Sequence, residues 1–249
     1  MIAILLLLGL VTGSALTVVL EQPLGSGWFR RTRSQCPFCH HALGVRDLVP
    51  IVSFLMQKGR CRYCQAPIPR WHLLAEVAAV VLFLLAGASG ARGVALGFLL
   101  VFLVLLLALA VADLRFWVLP DAFVVLLALA GAVRSLLLGS PTLLSVLLGG
   151  ALGLSLLGSI TLLTRERAMG WGDVKLAGAM GVVLGWGPLL AALLIAFLAG
   201  GLVGALLILG RRATLKSHLP FGPFLAGATA LLLLVPELPF WALRYLGFP

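Results

Sequence analysis

The chain has 249 residues, 62% of them hydrophobic and only 10% charged, with a formal net charge of +10. Soluble globular domains carry about 25% charged residues, so this composition excludes a soluble domain and marks an integral membrane protein. The basic excess does not call for nucleic acid: it falls between apolar spans, where it serves orientation and contact with anionic headgroups.

In chain order, apolar spans are predicted at roughly 1–20, 73–88, 93–112, 117–138, 142–163, 174–187, 188–209 and 222–246. Crossing a bilayer core takes ~20 apolar residues, so the second and sixth are short. The stretch 174–209 also reads as a fused or tilted pair broken between Gly185 and Pro188. The first span has no basic residues ahead of it and a basic cluster behind it, which reads as a retained helix rather than a secretory signal. With eight spans, fifteen of the 18 Lys and Arg residues fall on one side; Arg92, Arg134 and Arg244 fall on the other. The basic side is then cytoplasmic and both termini are extracytoplasmic. The fold class is an all-α polytopic membrane protein of about eight transmembrane helices.

The only long polar segment, 21–72, lies between the first and second spans and holds all 4 cysteines. They are paired as Cys36-x-x-Cys39 and Cys61-x-x-Cys64. Each pair can aim two thiolates at one metal, so the spacing predicts a structural zinc site in a cytoplasmic loop, where thiols stay reduced. Free or redox-active thiols are the alternative. His40 and His41 adjoin Cys39 but are not needed as ligands, and His72 reads as an interfacial side chain.

Of the 8 acidic residues, Glu21 and Asp47 lie in the long loop, Glu166 reads as a solvated charge and Glu237 as part of a turn. Glu76, Asp113, Asp121 and Asp173 lie at the edges of apolar spans. An ionised aspartate at mid-bilayer costs ~2.5–3.5 kcal/mol, so such residues face a polar cavity or a partner. Asp113, in "ALAVADLRFWVLPD", and Asp173, in "GWGDVKL", fall at the same cytoplasmic membrane edge. Two carboxylates at one depth can divide acid–base work, one ionised and one protonated. The base takes a proton from water, which attacks a peptide carbonyl; the protonated partner polarises that carbonyl and then protonates the leaving amine. Gly170 and Gly172 would let the backbone run irregularly there and approach a substrate. The alternative is that both aspartates merely cap helices. Lys175 cannot share a helix face with Asp173, so a lipid phosphate or another side chain is its natural partner.

Several of these features together resemble the bacterial type IV prepilin peptidases, a family of bifunctional leader peptidases and N-methyltransferases. The double C-x-x-C loop is followed by "RWHLLAEVAA"; "ADLRFWVLPD" resembles the first catalytic-aspartate motif, at Asp113; "MGWGDVKLAGAMG" resembles G-x-G-D-x-K, with Asp173 as the second; "LPFGPFLAGA", 219–228, resembles a further family stretch. The resemblance implies an aspartic endopeptidase of the bacterial inner membrane that removes the basic leader from prepilins and pseudopilins. Cleavage falls after a glycine that precedes their apolar N-terminal helix. The new terminus is then methylated from S-adenosylmethionine. Asp121 falls where the family takes Asp or Asn and reads as structural. On this reading 1–92 is the methyltransferase part, with Glu76 its acidic candidate, and 93–249 is the six-helix peptidase part. The stretch "GSALTVVLEQPLG", 13–25, departs from the family pattern at Ala15, Thr17 and Gln22, the region associated with methyl transfer. A peptidase without methylation is one alternative. A transport or assembly subunit is another, though no internal repeat supports it.

Overall fold

A computed structural model describes residues 1–21, 35–167, 169–212, 214 and 219–238. Gln22, Arg30, Arg31, Arg33, Lys216, Arg244 and the last part, 239–246, of the span expected at 222–246 lie outside the described residues. Among the described residues the fold is helical: α1 (Ile2–Glu21), α2 (Val52–Met56), α3 (Arg70–Ala88), α4 (Gly93–Phe116), α5 (Asp121–Leu138), α6 (Leu143–Leu163), α7 (Trp171–Leu184), α8 (Trp186–Leu209) and α9 (Gly222–Leu234). The only β-type pairings among the described residues are two isolated bridges. Among the described residues six helices are long and apolar enough to cross a membrane: α1, α3, α4, α5, α6 and α8. The other two expected spans correspond to α7, with 14 residues, and α9, with 13 described ones. The chain is a multi-pass membrane protein that divides into two compact units, Met1–Gly90 and Ala91–Pro249.

In the first unit α1 lies against α3, and glycine decides how closely. A Cβ on Gly9 would stand 2.8 Å from the Val80 Cα, and one on Gly13 would stand 2.8 Å from the Glu76 Cα. Between helices in lipid there is little hydrophobic drive to associate, so close backbone packing through small residues carries much of the contact. The loop between these helices starts α3 at Arg70 because Pro69 occupies the N-cap.

In the second unit the short helix α7 is the most enclosed element. Val174, Leu176, Ala177, Met180 and Val183 are all nearly inaccessible. Gly149 and Gly153 of α6 face Gly181 and Ala177 of α7 so closely that a Cβ on either α6 glycine would strike a carbonyl oxygen of α7. The helix stops at Gly185, whose φ of +80° a side chain would disfavour. α8 begins at the next residue, which resolves the expected break between Gly185 and Pro188. Arg134 of α5 donates from Nη1 to the Val183 carbonyl at 3.4 Å, at the C-terminal end of α7. The span expected from 117 begins as helix only at Asp121. α4 closes at Trp117, in the left-handed conformation, and Pro120 caps α5.

The α6–α7 contact yields a stability prediction. Gly181→Ala must push backbone off backbone, and overpacking of this kind costs ~1–3 kcal/mol. Its thermal midpoint in detergent should fall by several degrees. Gly97→Ala, where a Cβ meets nothing within 4 Å, should leave the midpoint unchanged or raise it.

Candidate functional site

Asp113 sits in the last turn of α4 and is only 7% exposed. A buried carboxylate needs donors, and one comes from far along the chain. The backbone N–H of Gly222 donates to Asp113 Oδ2 at 2.9 Å. Gly222 is the first residue of α9, so its amide belongs to the electropositive end of a helix. Glycine is required there by space: a Cβ would lie 2.7 Å from that same oxygen. Asp173 occupies the third position of α7, in the helix's first turn beside the Gly170 N-cap. It is half-buried and lies within Coulombic reach of Asp113. Two carboxylates so placed do not ionise independently and can hold a single proton between them.

The neighbouring residues have different roles from those the sequence suggested. α7 begins as a regular helix at Trp171, so Gly170 and Gly172 are its cap and second residue rather than irregular backbone. A Cβ on Gly172 would lie 3.2 Å from the Leu119 side chain, whereas one on Gly170 would have room. Lys175 pairs with neither Asp173 nor, among the described contacts, any group of its own helix. Its Nζ donates to Asp121 Oδ1 at 2.8 Å and Oδ2 at 3.0 Å, joining the first turns of α5 and α7. Both side chains are well exposed, at 49% and 67%, so the bridge aligns the two helix ends more than it stabilises them. Glu166 is not simply solvated: its Oε1 accepts from the Trp171 indole N–H at 2.8 Å.

The four cysteines form a second cluster, in the first unit. Their sulfurs all lie within 4.8 Å of one another, with Cys36 and Cys64 3.8 Å apart. Four sulfurs at about 2.3 Å from a tetrahedral zinc stand about 3.8 Å apart, so the set fits a metal ion such as zinc. The two halves repeat one geometry. Gln35 bridges Ala42 and Arg60 bridges Pro67; His40 N–H donates to the Cys36 carbonyl and Gln65 N–H to the Cys61 carbonyl, each at 2.9 Å. His40 and Gln65, each just after the second cysteine, take matching left-handed φ values of 55° and 60°. His41 stacks on Tyr63 from the opposite knuckle, ring centroids 3.6 Å apart, and is outside the sulfur cluster. Burial raises the Cys36 thiol, but N–H donors from Cys39 and Phe38 outweigh it and hold it at about 7. At Cys64 an N–H from Ala66 is overcome by desolvation and the other three sulfurs, which push it up to about 12. Without a cation among them the four cannot all ionise.

Beside the knuckles the first unit holds a cavity of about 370 Å³. Ser14 and Thr17 of α1, Phe54 of α2, His72 and Glu76 of α3, and the buried Cys36 and Cys61 are among its lining residues. Glu76 is 9% exposed and its Oε2 accepts from the Ile51 N–H at 2.7 Å. The Thr17 hydroxyl donates to the Ser14 carbonyl at 2.8 Å. Sequence reasoning named Glu76 but not Ile51, Asp47 or Gly222 as part of a site. The "LPFGPF" stretch was the one available signal for Gly222.

Buried carboxylates inside a glycine-packed helical bundle, joined to a four-thiol loop, define a class of multi-pass membrane protein with a site among its helices. Family models narrow that class. Residues 7–89 match the Bacterial Peptidase A24 N-terminal domain and residues 100–205 match the Type IV leader peptidase family. Three relatives, each described as a prepilin leader peptidase/N-methyltransferase, align over most of the chain. The Aeromonas hydrophila protein is 36% identical over 198 residues, 78% of this chain and 68% of the relative. The Burkholderia pseudomallei (strain 1026b) protein is 35% identical over 206 residues, 80% and 65% respectively. The Bacillus subtilis (strain 168) protein is 34% identical over 232 residues, 93% of each chain. No solved structure matches. The chain belongs to the prepilin leader peptidase/N-methyltransferase family.

The sulfur geometry makes a direct prediction. Purified protein should hold one zinc per chain, and changing both Cys36 and Cys61 to Ser should remove it. Lowering the pH should also release the metal as the thiolates protonate. Atomic emission on the dialysed protein measures both effects; a metal content indifferent to the cysteines would place the ion elsewhere.

Proposed function

We propose that this protein is an intramembrane aspartic endopeptidase that removes the leader from prepilins and pseudopilins and then methylates the new N-terminus. The observation that carries the peptidase half is the approach of Asp113 and Asp173 from separate stretches of chain, with Asp113 held by the Gly222 amide. The ionised carboxylate takes a proton from water, and the hydroxide so formed attacks the scissile carbonyl. The protonated carboxyl hydrogen-bonds the carbonyl oxygen as charge develops there and delivers its proton to the departing amine. The pair ends with one proton, as it began, and no serine or cysteine nucleophile is needed. Gly222 acts as a positioning residue through Asp113. Gly170, Gly172 and Lys175 set the first turn of α7 and so the place of Asp173.

The same reading extends to topology and substrate. The basic segments face the cytoplasm, α7 and α9 complete an eight-span arrangement in the bacterial inner membrane, and both termini are extracytoplasmic. The substrate presents a basic leader followed by an apolar helix, which reaches the site from the lipid. The partners are pilin-type helices and the bilayer.

For the second half, the first unit is the methyl-transfer part and S-adenosylmethionine its donor. The cavity is within the range of small-molecule sites, about 300–1,000 Å³. Its carboxylates suit a ribose diol and its aromatic rings an adenine, so the residues present fit that donor. When bound, it supplies an electrophilic methyl group on a sulfonium. Glu76 lines this cavity, and the four cysteines hold a structural zinc in its wall.

Three outcomes follow. Asp113→Asn and Asp173→Asn should each abolish leader removal from a prepilin substrate, a loss of at least ~10²-fold, while the protein still accumulates in membranes. Cleavage surviving in either variant would falsify the carboxylate pair. Gly222→Ala should lower the cleavage rate markedly at unchanged abundance. Labelled S-adenosylmethionine should leave its methyl group on the cleaved pilin; an unlabelled product would reduce the protein to a peptidase alone.

A further inference from the structure

We infer that the cavity of the first unit selects its ligand by positive charge, holding the cationic sulfonium donor and letting go of the neutral thioether by-product. This inference rests on the methyl-transfer reading. The chain is strongly basic, with 18 Lys and Arg against 8 acidic residues. Yet among the described residues that line the cavity there is no lysine or arginine, while Glu76 and Asp47 both face it. The hydrogen bonds described at the two carboxylates come from uncharged donors. Asp47 accepts from the Gly44 N–H at 3.1 Å, from Gln57 Nε2 at 3.1 Å and from the Tyr63 hydroxyl at 3.3 Å. Glu76 accepts from the Ile51 N–H. These uncharged donors orient the carboxylates without cancelling their charge. With a divalent ion bound, the four thiolates would keep a net negative charge, and Cys36 and Cys61 would add it to the cavity wall.

The backbone points the same way. Ile51 is β-branched, yet it sits at φ +61°, a conformation such residues rarely adopt. That conformation belongs to the residue whose N–H meets Glu76. Strain of this kind persists where the surroundings impose it, and it clusters at ligand sites. Among the described residues, His72, one turn earlier on α3, is a further titratable group that faces Glu76.

A cavity lined by two carboxylates and, among the described residues, by no lysine or arginine disfavours phosphate-bearing nucleotides and anionic headgroups. It favours an uncharged nucleoside carrying a cation. Methyl transfer then changes the ligand's charge: the N–CH₃ bond forms as the S–CH₃ bond breaks, its electron pair returns to sulfur, and the alkylated amine passes a proton to solvent. The attraction that held the donor is absent for the product.

Isothermal titration calorimetry on the full zinc-loaded chain in detergent, at about pH 8 where imidazoles are neutral, tests this. The probes are S-adenosylmethionine, sinefungin, which carries an ammonium in place of the sulfonium, and S-adenosylhomocysteine. Both cationic probes should bind about tenfold more tightly than the thioether, as one close charge contact would give. Glu76→Gln keeps a carbonyl for the Ile51 N–H and should bring that ratio close to one. Equal binding of all three by the unaltered protein overturns the inference, and this comparison decides the matter even where Glu76→Gln fails to retain zinc. A preference undiminished in both Glu76→Gln and Asp47→Asn also overturns it. If methyl label still reaches the cleaved pilin, methyl transfer stands and charge selection alone fails. If no probe binds and no label is transferred, both fail.

Discussion

A carboxylate buried in a helical bundle has to be given hydrogen-bond donors from within the protein. At Asp113 the donor is the amide of Gly222, and that one bond ties the end of α4 to the start of α9. It leaves no room for a side chain on Gly222, and it places the electropositive end of a helix beside a group whose charge would otherwise be costly. Asp173 lies in the first turn of α7, beside its Gly170 N-cap. Lys175, two residues further along α7, pairs with Asp121 rather than with Asp173.

The position of Asp173 depends in turn on glycine. α7 is short and enclosed, and its place is set by the backbone contact of Gly149 and Gly153 with Gly181 and Ala177. Gly185 ends it with a conformation other residues disfavour. In a bilayer such contacts replace the hydrophobic drive that would organise a soluble core. They also explain why a 14-residue helix can be held rigidly between longer ones.

The first unit uses the same chemistry for another end. Asp47 and Glu76 accept hydrogen bonds from amides, a hydroxyl and a carboxamide, and they face a cavity walled partly by the cysteine knuckles. The knuckles are two copies of one turn, alike in bridge, hydrogen bond and left-handed residue. Their repetition lets two separate C-x-x-C segments present four sulfurs to one point.

Much of this was legible from the chain alone. Hydropathy marked the helices because a bilayer leaves the backbone few alternatives, and cysteine spacing marked the four-sulfur cluster because each C-x-x-C turn can aim two sulfurs at one point. Asp113, Asp173 and Glu76 stood out as charges inside apolar sequence. Pairwise arrangement was not legible. That Gly222 reaches Asp113, that Lys175 chooses Asp121, that Ile51 serves Glu76 and that Trp171 occupies Glu166 are contacts between positions whose separation carries no periodic signal. Local pattern determines which groups must find partners, because burying them alone is too costly; only the packing of helices against one another decides which partner each one finds.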